Sequence, residues 1–211
     1  MRVIIVSGGN PPLKKLLCKY IKCDDFIIAA DKGGECLYNY KITPNVLLGD
    51  FDSMSKEVLE KLKIKVDEVM EFAPEKDFTD TEIALIEAIK RGGDEIYLFG
   101  ATGTRIDHML GNVGLLLSAK KKGVHLEIID NNNRIYLSNK KMKLFGKCGE
   151  NISFHALSDV VKSLKISGAK YMLDAYDMTL LDPRAICNEF LDTPIEIEYE
   201  EGELLILHSF D

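Results

Sequence analysis

The sequence predicts an α/β half, an open and mostly parallel sheet with helices on both faces, followed by a smaller antiparallel all-β half. Three observations carry this. Up to residue 129, apolar runs of four or five residues alternate with longer helical patterns, the rhythm of a sheet wound with crossover helices. Beyond residue 130 the segments become short, strictly alternating and separated by Gly, Asn, Asp and Pro, which is the pattern of antiparallel strands. Glycines and carboxylates recur directly after the apolar runs of the first half, where open α/β sheets bind ligands.

The strands expected in the first half are VIIV (3–6), FIIAA (26–30), NVLL (45–48), KVDEVMEF (65–72), EIYLF (95–99) and HLEII (125–129). Between them the helical spacing covers 13–21, 33–40, 56–63, 80–91 and 106–122. Gly123 stands where a C-cap glycine belongs, behind three lysines that complement the helix dipole. In the second half, NRIYLSN, NISFHAL, VVKSLKISG, PIEIEYEEG and ELLILHSF read as strands. DNNNRI (130–135) reads as the linker, so the domains are expected at 1–129 and 130–211.

The 211 residues carry a formal net charge of −7, which argues against general binding of nucleic acid or an anionic membrane. No apolar stretch is long enough for a membrane span or a signal peptide, so a cytoplasmic protein is expected. The five cysteines are scattered without a C-x-x-C and are expected to be free, buried thiols rather than zinc ligands.

Five strand ends converge on one chemistry: SGGN (7–10), DKGGE (31–35), GDFDS (49–53), PEKDFTD (74–80) and GATGTRIDH (100–108). Neither G-x-x-x-x-G-K-[ST] nor G-x-G-x-x-G occurs, so the standard nucleotide fingerprints are absent. SGGN and GATGTR could nevertheless bring backbone N–H groups to a phosphate, or simply make tight turns. Arg105 offers a bidentate phosphate donor, and Lys32 or Lys76 a point charge. Continued alternation at the strand tip would point Asp50 and Asp52 the same way, about 6–7 Å apart. Either they hold a divalent ion such as Mg²⁺, or Asp52 and Ser53 cap the helix at 56–63. Thr79 and Glu82 form a capping box with Asp80 in the first turn, which leaves Asp77 without a structural task. Asp107 and His108 lie in the first turn of a largely apolar helix. Carboxylates, glycines and an arginine at a sheet switch point suit metal-dependent phosphoryl or pyrophosphoryl transfer.

The ordered motifs ADKGG (30–34), TPNVLLGDFDSM (43–54), KDFTDTEIAL (76–85) and GATGTRIDHMLGN (100–112) resemble the thiamine pyrophosphokinase family. So does ISGAKYMLD (166–174) followed by CNEF (187–190). The resemblance implies transfer of pyrophosphate from ATP to the thiamine hydroxyl, with AMP as the second product. It implies a Rossmann-like catalytic domain that binds ATP and Mg²⁺, joined to a β-sandwich-like domain that contributes to thiamine binding and dimerisation. A homodimer with thiamine between subunits is expected on the same ground. Carried over by motif, Asp50, Asp52 and Asp80 hold Mg²⁺, Asp77 and Asp107 lie near the reacting phosphates, and Arg105 binds phosphate. Asp31 and the turn containing Gly100, Thr102 and Gly103 contact ATP, and Gly33, Gly49, Ser53, Lys76, Thr79 and His108 accompany them in the same motifs. Tyr171, Cys187 and Asn188 fall on the thiamine side. Two departures stand out: the chain has no Trp, so Tyr171 would do the stacking, and Cys187 stands where a serine is expected.

Two other readings compete. One is a HAD-like Mg²⁺ phosphatase, although no D-x-D-x-[TV] occurs on the first strand. The other is a non-catalytic sensor of nucleotide or thiamine phosphate.

Overall fold

The computed structural model describes residues 1–75 and 77–210, in two compact units, Met1–Asn131 and Asn132–Asp211. The first unit contains strands β1 (Arg2–Val6), β2 (Phe26–Ala30), β3 (Val46–Gly49), β4 (Glu68–Glu71), β5 (Glu95–Phe99) and β6 (His125–Ile129). They lie in the order β6-β5-β1-β2-β3-β4, and every neighbouring pair is parallel. The chain leaves β1 toward β2 on one side and later returns to β5 on the other, which makes a switch point between β1 and β5.

Five helices connect these strands: α1 (Lys14–Tyr20), α2 (Gly33–Tyr40), α3 (Lys56–Lys63), α4 (Asp80–Lys90) and α5 (Ile106–Lys121). The strands are apolar on both faces because both are covered. Ile4, Val6, Ala29 and Leu47 pack with Leu17 of α1, Leu37 of α2 and Leu62 of α3. Val3 and Ile5 alternate to the opposite face and are equally buried, where α4 lies against β1, β2 and β3, and α5 against β6.

Helix ends follow local chemistry. Thr79 caps α4, its hydroxyl oxygen accepting the Glu82 N–H at 3.1 Å. Replacing Thr79 with alanine should cost about 1 kcal/mol, and a thermal melt should show Tm falling by roughly 2–4 °C. An unchanged Tm would mean that the cap does not support α4. At the end of α5, Gly123 adopts φ +73°. The N–H groups of Gly123 and Val124 donate to the carbonyls of Lys120 and Ala119, a Schellman ending. The α3 cap, one of the two roles open to Asp52 and Ser53, is absent. The helix has Ser55 at its N-cap, with no side-chain bond. The Ser53 hydroxyl and the Asp52 N–H are engaged by Asp31 and Asp50 instead.

The second unit holds β7 (Asn133–Leu137), β8 (Lys141–Leu144), β9 (Asn151–Ala156), β10 (Val160–Ser167), β11 (Leu173–Thr179), β12 (Asn188–Glu189), β13 (Ile195–Glu198) and β14 (Leu204–Ser209). Antiparallel pairing arranges β12-β9-β14-β7 in one group and β11-β10-β13-β8 in another. Their inward faces close on a core that includes Phe154, Leu164, Ile166, Phe190, Ile197 and Ile206. Three of these strands are not apparent in the sequence. β8 is a four-residue Lys-Met-Lys-Leu segment recognised only through its ladder with β13, where Lys143 and Glu196 pair at 2.6 Å. β11 is irregular because Ala175 adopts φ +47° and shifts its register on β10. β12 has only two residues.

The cysteines are free, but four of the five are exposed and Cys36 is half-buried, so the expectation of buried thiols does not hold. Among the described residues, no helix is long and apolar enough to cross a membrane.

Candidate active site

At the switch point the ends of β1 and β5 are stitched together. The N–H groups of Ser7, Gly9 and Asn10 donate to the carbonyls of Phe99, Gly100 and Thr102 at 2.7–2.8 Å. The backbones approach so closely that a Cβ on Gly100 would lie 2.2 Å from the Ser7 carbonyl oxygen, and Gly100 has φ +66°. Only glycine meets both conditions. The result is a cleft of about 930 Å³. It is lined by the 7–11 segment, Asp31, Lys32, Asp50, Ser53, the start of α4, the 100–105 turn and His108.

Three carboxylates gather at this cleft, Asp31 and Asp50 in its lining and the exposed Asp52 beside them. Single oxygens of Asp31, Asp50 and Asp52 all lie within 4.8 Å of one another. Asp50 and Asp52 reach the same region through a turn, not through continued strand alternation. β3 ends at Gly49, and Phe51 takes φ +60° with its ring buried in the core, while Asp50 Oδ1 accepts the Asp52 N–H at 3.1 Å. Asp31 follows β2, also at positive φ (+49°), a conformation that Asp tolerates better than most residues. Its Oδ2 accepts the Ser53 hydroxyl at 2.6 Å. Its Oδ1 is buried and has no hydrogen-bond partner among the described residues. Burial raises the proton affinity of Asp31 above the ordinary carboxylate value; the Ser53 bond and the Lys32 backbone N–H oppose this, and Asp80 and Asp50 add repulsion.

These oxygens suit a hard divalent cation, and the buried Asp31 Oδ1 is an acceptor awaiting a positive partner. The trio thus contains Asp31 where the sequence pointed to Asp80. Asp80 opens α4 and lines the cleft beside it, close enough to act on Asp31 electrostatically.

The other sequence-derived positions divide clearly. Ser53, Thr79, Thr102, Gly103, Arg105 and His108 line the cleft. Gly33 and Gly49 support its wall: Gly33 is buried against the Val6 carbonyl, and Gly49 approaches the Asp31 backbone. Asp77 is exposed and outside the lining, and Lys76 lies outside the described residues. Arg105 is engaged by Asp107, with Nε and a terminal nitrogen at 3.2 and 2.6 Å from its two oxygens. That pairing, helped by the His108 N–H, lowers the Asp107 pKa to about 2. Because the folded value is depressed, the pairing is complete above the ordinary carboxylate range and is lost only as pH falls through about 2. An NMR titration should find that midpoint, and Arg105→Ala should return it toward 3.8; an unmoved midpoint would assign the shift to another group.

In the second unit, the Asn188 amide is committed to backbone. Its oxygen accepts from the Tyr171 and Glu189 N–H groups, and its nitrogen donates to the Tyr171 carbonyl at 2.6 Å. Asn188 therefore anchors the backbone of Tyr171, a residue 54% exposed. Cys187 is exposed at φ +54°, its N–H donating to the Ser153 hydroxyl.

Sequence reading did not single out Ser7, Thr81 or Asn112. The Thr81 hydroxyl donates to the Ser7 hydroxyl at 3.0 Å, which ties α4 to the end of β1. Ser7 and Asn112 are buried polar side chains, and a polar residue inside an apolar pattern is the one signal that marks them.

Together, fold and site define an α/β enzyme working at the switch point of a parallel sheet. The family model described as thiamin pyrophosphokinase, catalytic domain, matches residues 17–128, and the one described as its vitamin B1 binding domain matches 133–204. With these two matches, the chain belongs to the thiamin pyrophosphokinase family. The thiamine pyrophosphokinase of Bacillus subtilis (strain 168) is 32% identical over 210 residues, 98% of each chain. The crystal structure of thiamine pyrophosphokinase from Bacillus subtilis superimposes with a TM-score of 0.89 at 29% identity, covering 100% of both chains. That of thiamin pyrophosphokinase from Geobacillus thermodenitrificans gives 0.87 at 30% identity, covering 100% of this chain and 98% of the other.

Proposed function

We propose that the chain transfers the terminal pyrophosphoryl group of ATP to the hydroxyl of thiamine, yielding thiamine pyrophosphate and AMP. The observation that carries this reading is the cluster of Asp31, Asp50 and Asp52, the first two lining the same cleft as the glycine-containing 100–105 turn. Such an acidic cluster cannot receive a polyphosphate unless a cation comes between them. Mg²⁺ held by these three carboxylates would neutralise the phosphate charge as it shifts to the leaving group.

The protein's own groups supply the rest. The 100–105 turn and the start of α5 offer backbone donors to phosphate oxygens. Arg105, already oriented by Asp107, exchanges part of that pairing for a phosphate contact. Asp80, at the first turn of α4 and lining the cleft, is available to orient the thiamine hydroxyl, whose proton leaves to a cleft carboxylate. Tyr171, exposed and with its backbone held by Asn188, carries the Lys170 ammonium 5.5 Å from its ring centroid and offers the other ring face for stacking on thiamine. We further propose a homodimer; the exposed Met172 and Leu181 of the second unit supply apolar surface for it.

The test is a product assay with ATP, Mg²⁺ and thiamine, with and without EDTA. Equal, EDTA-sensitive yields of AMP and thiamine pyrophosphate are expected. ADP with thiamine monophosphate would replace pyrophosphoryl by phosphoryl transfer, and the absence of any thiamine-dependent product would overturn the reading.

A further inference from the structure

We propose that Asn112 is a positioning residue for the phosphates of ATP, an inference that rests on the reading of the cleft as an ATP site. Asn112 lies one helical turn beyond His108 on α5 and is only 7% exposed. Its helical neighbours Leu115, Leu116 and Ala119 are core residues, so an amide at this position is costly unless it is hydrogen-bonded. Its Nδ2 donates to the Ala101 carbonyl at 2.7 Å.

That bond completes a pattern. The Gly100 carbonyl accepts from the Gly9 N–H and the Thr102 carbonyl from the Asn10 N–H. Three successive carbonyls of the turn are therefore directed at donors within the protein, the middle one by Asn112 alone among the bonds described. In a trans peptide, the carbonyl of one residue and the N–H of the next point in opposite directions, and the described chain has no cis peptide. Each N–H of Ala101, Thr102 and Gly103 therefore points away from the donor that holds the carbonyl before it: those of Ala101 and Gly103 away from the 9–10 segment, that of Thr102 away from Asn112. These three residues line the cleft. Backbone N–H groups presented to a cleft bind anions. Asn112, itself outside the lining, holds the central peptide of this cleft-lining turn through its carbonyl and so fixes where the Thr102 N–H can meet a phosphate oxygen.

The experiment compares ATP binding by titration calorimetry in the presence of Mg²⁺ with steady-state KM values for ATP and thiamine. Asn112→Asp keeps the shape but turns an acceptor toward the Ala101 carbonyl; Asn112→Ala removes the group. Both are expected to weaken ATP binding about ten- to hundred-fold, the effect of one lost buried hydrogen bond, and to raise the KM for ATP with the KM for thiamine within about twofold of the parent's. Leu116→Ala, which cuts into the same helix core without touching the turn, is expected to lower Tm and leave ATP affinity unchanged. Parent-like ATP affinity in both Asn112 variants would overturn the inference, as would an equal loss of ATP and thiamine affinity, which marks a merely structural role. Failure of the parent protein itself to bind ATP would overturn the ATP reading of the cleft instead.

Discussion

Replacing Asp31 with asparagine is expected to lower turnover about a thousandfold and to raise the Tm of the metal-free protein at neutral pH. Both effects have one cause. The Asp31 carboxylate is half-buried, one oxygen has no partner among the described residues, and Asp80 and Asp50 add like charge. Its charged form is therefore disfavoured in the folded chain, and its folded pKa is raised. A raised carboxylate pKa means stability that is present below the unfolded value of 3.8 and lost as pH rises through the folded value. Asparagine imitates the protonated carboxyl, and its side-chain oxygen can still accept the Ser53 hydroxyl. The Tm advantage of the variant should accordingly be small near pH 4 and grow toward pH 7. Added Mg²⁺ should raise the Tm of the parent by mass action and do little for the variant. Thermal melts across pH, with and without Mg²⁺, decide the matter. A variant that is less stable than the parent at pH 7 would make Asp31 a structural residue. A variant with parental turnover would remove it from the proposed cation site.

Gly33→Ala should destabilise the first unit by roughly 3 kcal/mol, a large loss for a single added methyl. Helix propensity alone gives the opposite sign: alanine is favoured over glycine by up to about 0.5–1 kcal/mol, the full amount only in a helix interior, and Gly33 opens α2. Packing decides. A Cβ at Gly33 would lie 1.9 Å from the Val6 carbonyl oxygen, so α2 would have to move off β1. That movement displaces Asp31, two residues earlier, and activity should fall with stability. Gly114 in α5 is the control: a Cβ there meets nothing within 4 Å, and Gly114→Ala should stabilise by about 0.5–1 kcal/mol. Urea unfolding of the two variants should move the midpoints in opposite directions. A stabilised Gly33→Ala protein would show that the α2–β1 contact yields more easily than its geometry implies.

The alternation of apolar runs and helical spacing made the α/β half legible because each element carries its own period. The helix ends were legible for the same reason: the Thr79 cap and the Gly123 ending depend on contacts within a few residues. Where local pattern left the outcome open, the deciding contact was distant. Ser53 does not cap α3 because Asp31, 22 residues away, takes its hydroxyl. β8 exists because β13 pairs with it. The Asn188 amide is set by the backbone at Tyr171, 17 residues earlier.

The candidate site divides in the same way. By itself the sequence determined which strand ends carry carboxylates, which carry glycines, and that the acidic and glycine-rich turns lie at one end of a parallel sheet, since these follow from periodicity and chain order. Only the tertiary structure decided that Asp31 joins Asp50 and Asp52, that Asp107 holds Arg105, and that Asn112 supports the 101 carbonyl. The physical reason is that charge repulsion, desolvation and hydrogen bonding act over a few ångströms in space, whatever the separation along the chain.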